Sequence, residues 1–188
     1  MILGAHCPVR QGYTAALEEA VRLGCRAMQM LPYRRHSDPS PEELAAFSAA
    51  RKATPVEKLI VHSRFVPCPG SSDAERRSRS RELLRRELEL AAALGADAYI
   101  LHAGAYSEGS GREEGLGFVA ATAAGAVRES GSRVPVLFEN VPGGGRRLGG
   151  DLDDLGRLLD GSSRGGGDFG LCLDTAHAWA AGHDIAAA

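Results

Sequence analysis

The feature that most constrains the fold is a series of short apolar segments, all but one of which end in a polar or charged residue. The segments are rich in Ile, Val and Leu, and they lie at residues 2–6, 27–30, 59–62, 98–102, 134–139 and 170–174. Their apolar residues run on without strict alternation, which is typical of strands in a parallel sheet whose two faces are both covered. The sequence therefore predicts six parallel strands.

Helices are predicted between these strands. Ser40 can cap a helix whose first position is Pro41, and Glu43 stands where a capping box requires an acidic residue. An apolar stripe predicts a second helix from about residue 80 to 94, and an Ala-rich helix occupies residues 117–130. Glycines that can cap helix C-termini follow three of the helical segments: Gly24, Gly95 and Gly131.

The spacing of the strands indicates one strand–helix unit per repeat. The last four strands are predicted to end at positions 62, 102, 139 and 174, so the steps are 40, 37 and 35 residues. One such unit needs about 30 residues or more, which favours an α/β fold, either a barrel or an open sheet. A closed eight-stranded barrel takes about 250 residues. We therefore expect residues 1–188 to form a single (β/α) TIM-barrel domain that is incomplete, with about six of eight units, and truncated at the C-terminus.

Composition and charge narrow the classes of function. The chain is 44% hydrophobic and 24% charged, and its net charge of −2 gives no global basic field for nucleic acid. It has neither a run of about 18 apolar residues nor a secretion signal, so we expect a cytoplasmic protein without a membrane segment. The four cysteines form no Cys-x-x-Cys pair, which favours reduced structural thiols over disulfides.

Residues of metal-binding type stand at the predicted strand ends. In a parallel barrel the C-terminal ends of the strands meet at one rim and supply the catalytic residues. A single histidine at such a place is more often structural, but five residues of this type at one rim indicate a metal site. Imidazoles with carboxylates suit zinc, and a carboxylate can bridge two ions. The five are His62, His102, Glu139, Asp174 and His177.

The motifs around these residues resemble those of the endonuclease IV family. Residues 170–184 resemble its most characteristic motif, in which a second Cys usually stands at the position of Ala176. Residues 4–6 resemble the opening strand of the family, residues 101–104 its His-x-Gly strand end, and residues 138–140 its Glu-Asn strand. On this resemblance the chain is identified as the N-terminal two-thirds of a member of this family of xylose isomerase-like barrels (AP endonuclease family 2).

The resemblance implies a site for up to three zinc ions. In the family pattern His62, His102 and Glu139 would hold one ion, which alone would have its full protein ligand set in this chain. Glu139 would bridge to a second ion that Asp174 also binds, and His177 would hold the third. Glu139 and Asp174 are accordingly the predicted catalytic residues. The remaining ligands would come from two further strands.

The implied activity is zinc-dependent cleavage of DNA 5′ to abasic sites, in base excision repair. Clustered zinc ions suit phosphodiester cleavage, and an abasic nucleotide is easily flipped out of duplex DNA because it has lost its base pairing. The residues predicted to contact abasic double-stranded DNA lie on loops after the second and third strands: Arg34, Arg35, Arg64, Phe65 and Val66. Phe65 and Val66 depart from the Tyr and Leu usual in the family. Arg146 and Arg147, in a glycine-rich loop, are further candidates for phosphate contacts.

Two alternatives remain open at this point. Related barrels that isomerise or epimerise sugars carry one divalent metal ion, so the number and kind of ions bound separates them from a nuclease. The other alternative is an inactive, truncated metal-binding fragment. Because open sheet edges invite association, the 188-residue chain is expected to aggregate or oligomerise. Because the second and third metal ions would lack the ligands of the last two strands, it is also expected to be nearly inactive on abasic DNA.

Overall fold

Six strands alternate with six helices in a computed structural model that describes residues 1–33, 38–64 and 68–186. The strands are Gly4–His6 (β1), Ala27–Met30 (β2), Lys58–His62 (β3), Ala98–His102 (β4), Val136–Glu139 (β5) and Phe169–Cys172 (β6). The helices are Tyr13–Arg22 (α1), Pro41–Lys52 (α2), Ala74–Ala93 (α3), Arg112–Ser130 (α4), Leu152–Ser163 (α5) and Thr175–Ala180 (α6).

All six strands are parallel and pair in chain order from β1 to β6. An open doubly wound sheet reverses its strand order at a switch point, and this sheet has none among the described residues. Strictly sequential order is the order of a barrel wall. The fold is therefore of the TIM-barrel type, which confirms the prediction and decides between the two architectures left open by the spacing.

Local signals in the sequence account for several helix ends. The Ser40 hydroxyl accepts a hydrogen bond from the Glu43 backbone N–H at 3.2 Å, as a capping box requires. Helix α4 ends at Gly131, whose φ of 61° is left-handed and favours glycine. The predicted start of α3 near residue 80 is wrong, because the Asp73 carboxylate caps the helix by accepting from the N–H groups of residues 75 and 76.

Strand β6 ends two residues before its predicted end, on the side of the sheet where the site lies. Strand β6 ends at Cys172, so Asp174 does not end a strand. Its carboxylate instead caps α6, accepting a hydrogen bond from the His177 backbone N–H at 2.8 Å. An aspartate two residues after a strand can serve as an N-cap because its short side chain reaches the orphan N–H groups of the first helical turn.

The apolar core lies between the sheet and the helices. Its largest fully buried side chains come from both layers: Tyr13, Phe47, Leu84 and Leu88 from helices, and Tyr99, Leu101 and Phe138 from strands. Because strand side chains alternate between faces, Tyr99 and Leu101 face the helices while His102 faces the inside of the curved sheet. The four cysteines are free, and no helix among the described residues is long and apolar enough to cross a membrane.

An ion pair between the exposed Arg112 and the buried Asp154 joins α4 to α5 beneath the glycine-rich loop. Both carboxylate oxygens of Asp154 accept from the Arg112 guanidinium, at 2.9 and 2.7 Å. The same carboxylate accepts the Gly149 backbone N–H at 2.8 Å, and the Asp154 side chain is only 2% exposed. The Gly149 carbonyl in turn accepts the Val141 N–H at 3.0 Å. Asp154 thus fixes the loop that follows β5.

We expect Asp154→Ala to lower the free energy of unfolding by about 2–3 kcal/mol, because one substitution removes three charge-assisted hydrogen bonds at a buried position. Urea denaturation followed by circular dichroism measures the change. The control is Asp153→Ala, an exposed neighbour in the same helical turn, for which we expect a loss of less than about 1 kcal/mol. Equal losses in the two variants would contradict this role for Asp154.

Candidate metal centre

Three residues from adjacent strands converge on one point at the C-terminal rim of the sheet. His62 ends β3, His102 ends β4 and Glu139 ends β5, and the parallel register places His102 directly beside Glu139. The Nε2 atoms of both histidines lie 3.1 Å from the same carboxylate oxygen, Oε2 of Glu139. The two imidazole rings are 5.1 Å apart between centroids.

The hydrogen bonds of His62 show that a proton or a cation must lie between its ring and the Glu139 carboxylate. Its Nδ1 lies 2.8 Å from the Ser63 carbonyl oxygen, which can only accept, so Nδ1 carries a proton. In the neutral ring Nε2 then has a lone pair aimed at a carboxylate oxygen, which also only accepts. Two acceptors stay at 3.1 Å only if a proton or a cation lies between them.

The geometry of the three atoms fits a metal ion. Ligand atoms about 2.0–2.1 Å from one tetrahedral zinc ion lie roughly 3.3 Å from one another, close to the 3.1 Å between each imidazole nitrogen and the carboxylate oxygen. One ligand atom each from His62, His102 and Glu139 lie within 4.8 Å of one another. The nitrogen and oxygen donors are those that zinc accepts.

The two histidines differ in their ordinary titration. Burial lowers the pKa of His62, but the hydrogen bonds to Glu139 and to the Ser63 carbonyl outweigh it, so its pKa is raised. Burial lowers the pKa of His102 more than the charge of Glu139 raises it. The same carboxylate therefore raises the pKa of His62 above its ordinary value but does not offset the effect of burial on His102.

A second group shares Glu139 with the first. It consists of Glu139, Asp174 and His177, whose ligand atoms also lie within 4.8 Å of one another. The rings of His102 and His177 are 5.9 Å apart between centroids, so the two groups are continuous. Glu139 is 7% exposed and is the member common to both. The structure thus brings together all five residues that the sequence proposed as ligands.

Asn140 holds the second group in place. Its side-chain amide donates to the Asp174 carbonyl at 2.9 Å, and its side-chain oxygen accepts from the Asp174 N–H at 2.7 Å. The backbone carbonyl oxygen of Asn140 lies 2.9 Å from Nδ1 of His177, so Nε2 of that ring is left to bind a metal ion. Asn140 is 1% exposed. Sequence reasoning gave it no role, although the chain's only asparagine follows Glu139 directly.

Other residues near the rim differ in how far the structure describes them. Arg64, half-buried, follows Ser63 directly, whereas Arg34, Arg35, Phe65 and Val66 lie outside the described residues. Cys172 is half-buried, because β6 is an edge strand of the described sheet. Burial, with the charges of Glu139 and Asp174, raises the pKa of its thiol to about 11, so the thiol stays protonated and is a poor ligand.

Sequence reasoning also left His6 and Gln29 without a role. Nδ1 of His6, at the end of β1, lies 2.9 Å from the Gln29 side-chain nitrogen, which donates to it. Burial and the nearby charge of His62 lower the pKa of His6. Arg146 and Arg147 line an open groove together with Arg76 and Tyr106, beyond the ends of β4 and β5.

Comparison with known proteins agrees with this geometry. A family model described as a xylose isomerase-like TIM barrel matches residues 17–188. A probable endonuclease 4 from Nitratidesulfovibrio vulgaris is 34% identical over 189 residues, which cover 98% of this chain and 66% of that protein. The crystal structure of endonuclease IV from Thermus thermophilus superposes with a TM-score of 0.84 at 30% identity, over 99% of this chain and 67% of that one.

The fold is shared more widely than the sequence. The crystal structure of a D-tagatose 3-epimerase-like protein superposes with a TM-score of 0.72 at 20% identity, over 94% of this chain and 66% of that one. The chain belongs to the xylose isomerase-like TIM barrel family. Within that class it is a member of the endonuclease IV family, as its motifs indicated. It spans 66% of the length of the Nitratidesulfovibrio vulgaris relative.

We expect Asn140→Ala to weaken zinc binding about 10- to 100-fold, the usual cost of losing a group that orients metal ligands. The substitution releases the Asp174 backbone from both of its hydrogen bonds to the Asn140 amide. Competition with a chromophoric chelator measures the affinity. His183→Ala is the control, since its ring nitrogen contacts the Gly150 carbonyl and it belongs to neither ligand group. An Asn140→Ala affinity equal to that of His183→Ala would refute the role.

Proposed function

We propose that the chain is the metal-binding part of a zinc-dependent endonuclease that cleaves DNA 5′ to abasic sites in base excision repair. The observation that carries the proposal is the Glu139 carboxylate, which belongs to two adjoining groups of metal-ligand type at the barrel rim. The relatives named endonuclease 4 support the same activity.

The residues present would hold metal in a definite order. His62, His102 and Glu139 would bind one zinc ion, Glu139 and Asp174 would share a second, and His177 would contribute to a third. Bound zinc supplies positive charge for phosphate oxygens and activates water near neutral pH. Glu139 and Asp174 are the proposed catalytic residues because they are the two carboxylates of the ligand groups, and Glu139 belongs to both groups.

The chain's own groups orient this site. The Ser63 carbonyl fixes His62, and the Asn140 carbonyl fixes His177, so both rings present Nε2 to the centre. Orientation of this kind reduces the reorganisation that binding and reaction require. The low exposure of Glu139 strengthens its electrostatic interactions, because the local dielectric constant is lower than in water.

Positive side chains on the loops of the same rim would contact DNA. Arg64, Arg146 and Arg147 are described at or beside this rim, and Arg34 and Arg35 are placed there by sequence position. Contacts with phosphates position a nucleic acid without reading its bases. Phe65 and Val66 would fill the gap left by a flipped abasic nucleotide. These local charges and bound cations would compensate for the chain's net charge of −2.

A nicking assay tests the proposed activity. The substrate is a labelled duplex with one tetrahydrofuran abasic analogue, and the protein is stripped with a chelator and reloaded with zinc. We expect weak, zinc-dependent cleavage 5′ to the analogue that leaves a 3′-hydroxyl, and no cleavage of the undamaged duplex. Binding of a single Mn²⁺ or Mg²⁺ per chain with turnover of a ketose would favour the sugar epimerase alternative. Zinc bound without cleavage would favour the inactive fragment.

The ligand assignment is tested by zinc content alone. We expect Glu139→Gln to retain markedly less zinc than Cys172→Ser, because Glu139 belongs to both ligand groups and Cys172 is a protonated thiol on the adjacent strand. Atomic absorption after gel filtration gives the zinc content of each variant. Equal zinc content in the two variants would show that Glu139 does not bridge.

A further inference from the structure

A carboxylate lies buried behind the rim, on the side of the sheet away from the candidate metal centre. Glu87, on α3, is 0% exposed, whereas Glu82 and Glu89 on the same helix are exposed and pair with Arg85. Among the described residues Glu87 forms no ion pair within 4.0 Å, and its Oε1 atom has no hydrogen-bond partner. A buried, unpaired carboxylate is costly, and burial raises the pKa of Glu87.

The other oxygen of this carboxylate has two donors. Oε2 of Glu87 accepts from the Tyr99 hydroxyl at 2.5 Å and from the Arg64 backbone N–H at 3.3 Å. Tyr99 belongs to β4 and is itself fully buried. An apolar residue of the same size would avoid burying a charge, and such replacements are often neutral or stabilising. It would, however, leave the Tyr99 hydroxyl and the Arg64 N–H without this acceptor. Of these two donors, the Arg64 N–H is the one that lies next to the candidate metal centre.

The Arg64 N–H belongs to the same peptide unit as the Ser63 carbonyl. That carbonyl faces Nδ1 of His62 at 2.8 Å, and the Ser63 N–H donates to the Ile100 carbonyl at 2.8 Å. A peptide unit is planar, with its C=O and N–H pointing in opposite directions. Fixing the N–H on one side therefore fixes the direction of the C=O on the other. Glu87 and His62 therefore contact opposite ends of the same planar peptide unit.

We infer that Glu87 is a positioning residue, whose carboxylate orients the Ser63–Arg64 peptide and through it the imidazole ring of His62. The inference rests on the proposed function in one respect only, namely that His62 is a metal ligand. This role also explains why a carboxylate is buried at position 87. The carboxylate acts behind the sheet, without touching metal or substrate, and sets the direction in which the backbone leaves β3.

Exchange of the Arg64 amide hydrogen, followed by NMR, tests the contact directly. We expect Glu87→Leu, which preserves volume and removes both acceptors, to accelerate that exchange at least tenfold at an unchanged thermal midpoint. Glu87→Gln retains an acceptor oxygen and is expected to restore most of the protection. Glu82→Leu, on the exposed face of α3, is the control and is expected to leave the exchange as in the parent chain.

Zinc affinity, measured by chelator competition, tests the consequence. We expect about a tenfold loss for Glu87→Leu and a smaller loss for Glu87→Gln. Tyr99→Phe removes the other donor and is expected to change neither zinc affinity nor Arg64 exchange. If it loosens both as much as Glu87→Leu does, Glu87 is a general packing residue and the inference is overturned.

The two proposals fail in different ways. Unchanged Arg64 exchange in the Glu87 variants overturns the positioning role, whatever the chain does to DNA. Failure of the parent chain to bind zinc overturns the proposed function and leaves Arg64 exchange to decide the contact. If Glu87→Leu does not fold, Glu87→Gln and Tyr99→Phe still decide it, because the first changes the acceptor of the Arg64 N–H itself, whereas the second removes only another donor to it.

Discussion

The candidate site depends on one unfavourable contact between hydrogen-bond acceptors. A carboxylate oxygen of Glu139 faces two imidazole nitrogens at 3.1 Å, and only protons or a cation can hold such atoms together. Three adjacent parallel strands impose this contact: the register pairs His102 with Glu139 directly, and His62 ends the next strand at the level of Ile100. The sheet supplies the rigidity, and the fit of the donors to a metal ion follows from it. A looser scaffold would let the side chains separate.

Backbone groups prepare the histidines for this role. The carbonyls of Ser63 and Asn140 each lie against the Nδ1 atom of a ring, which settles the tautomer before any ligand binds. The Asn140 side chain adds two hydrogen bonds to the Asp174 backbone, and these connect the segment after β5 to the segment after β6. The site is thus held by the main chain, which is the least adjustable part of the protein, and by one amide and one carboxylate that direct it.

Much of this arrangement could be predicted from the sequence. Periodic apolar runs gave the six parallel strands, and residues of ligand type at their ends gave His62, His102 and Glu139. The ends of individual elements were less predictable: Asp174 was assigned to a strand end but caps a helix, since a short apolar run does not show where pairing stops. Asn140 and Glu87 were missed because their roles are hydrogen bonds to backbone atoms distant in sequence, for which composition and periodicity carry no signal.

Sequential strand order has a consequence for how the centre is assembled during synthesis. Each new strand pairs with the one made just before it, so docking never has to wait for a distant segment. The candidate ligands His62, His102 and Glu139 can meet once β5 has paired, and Asp174 and His177 can join them with the following unit. The pairings that bring the first three together close steps of 40 and 37 residues along the chain, so the parallel sheet forms more slowly than local helical contacts do. A growing chain can nevertheless complete the first ligand group while later residues are still being added.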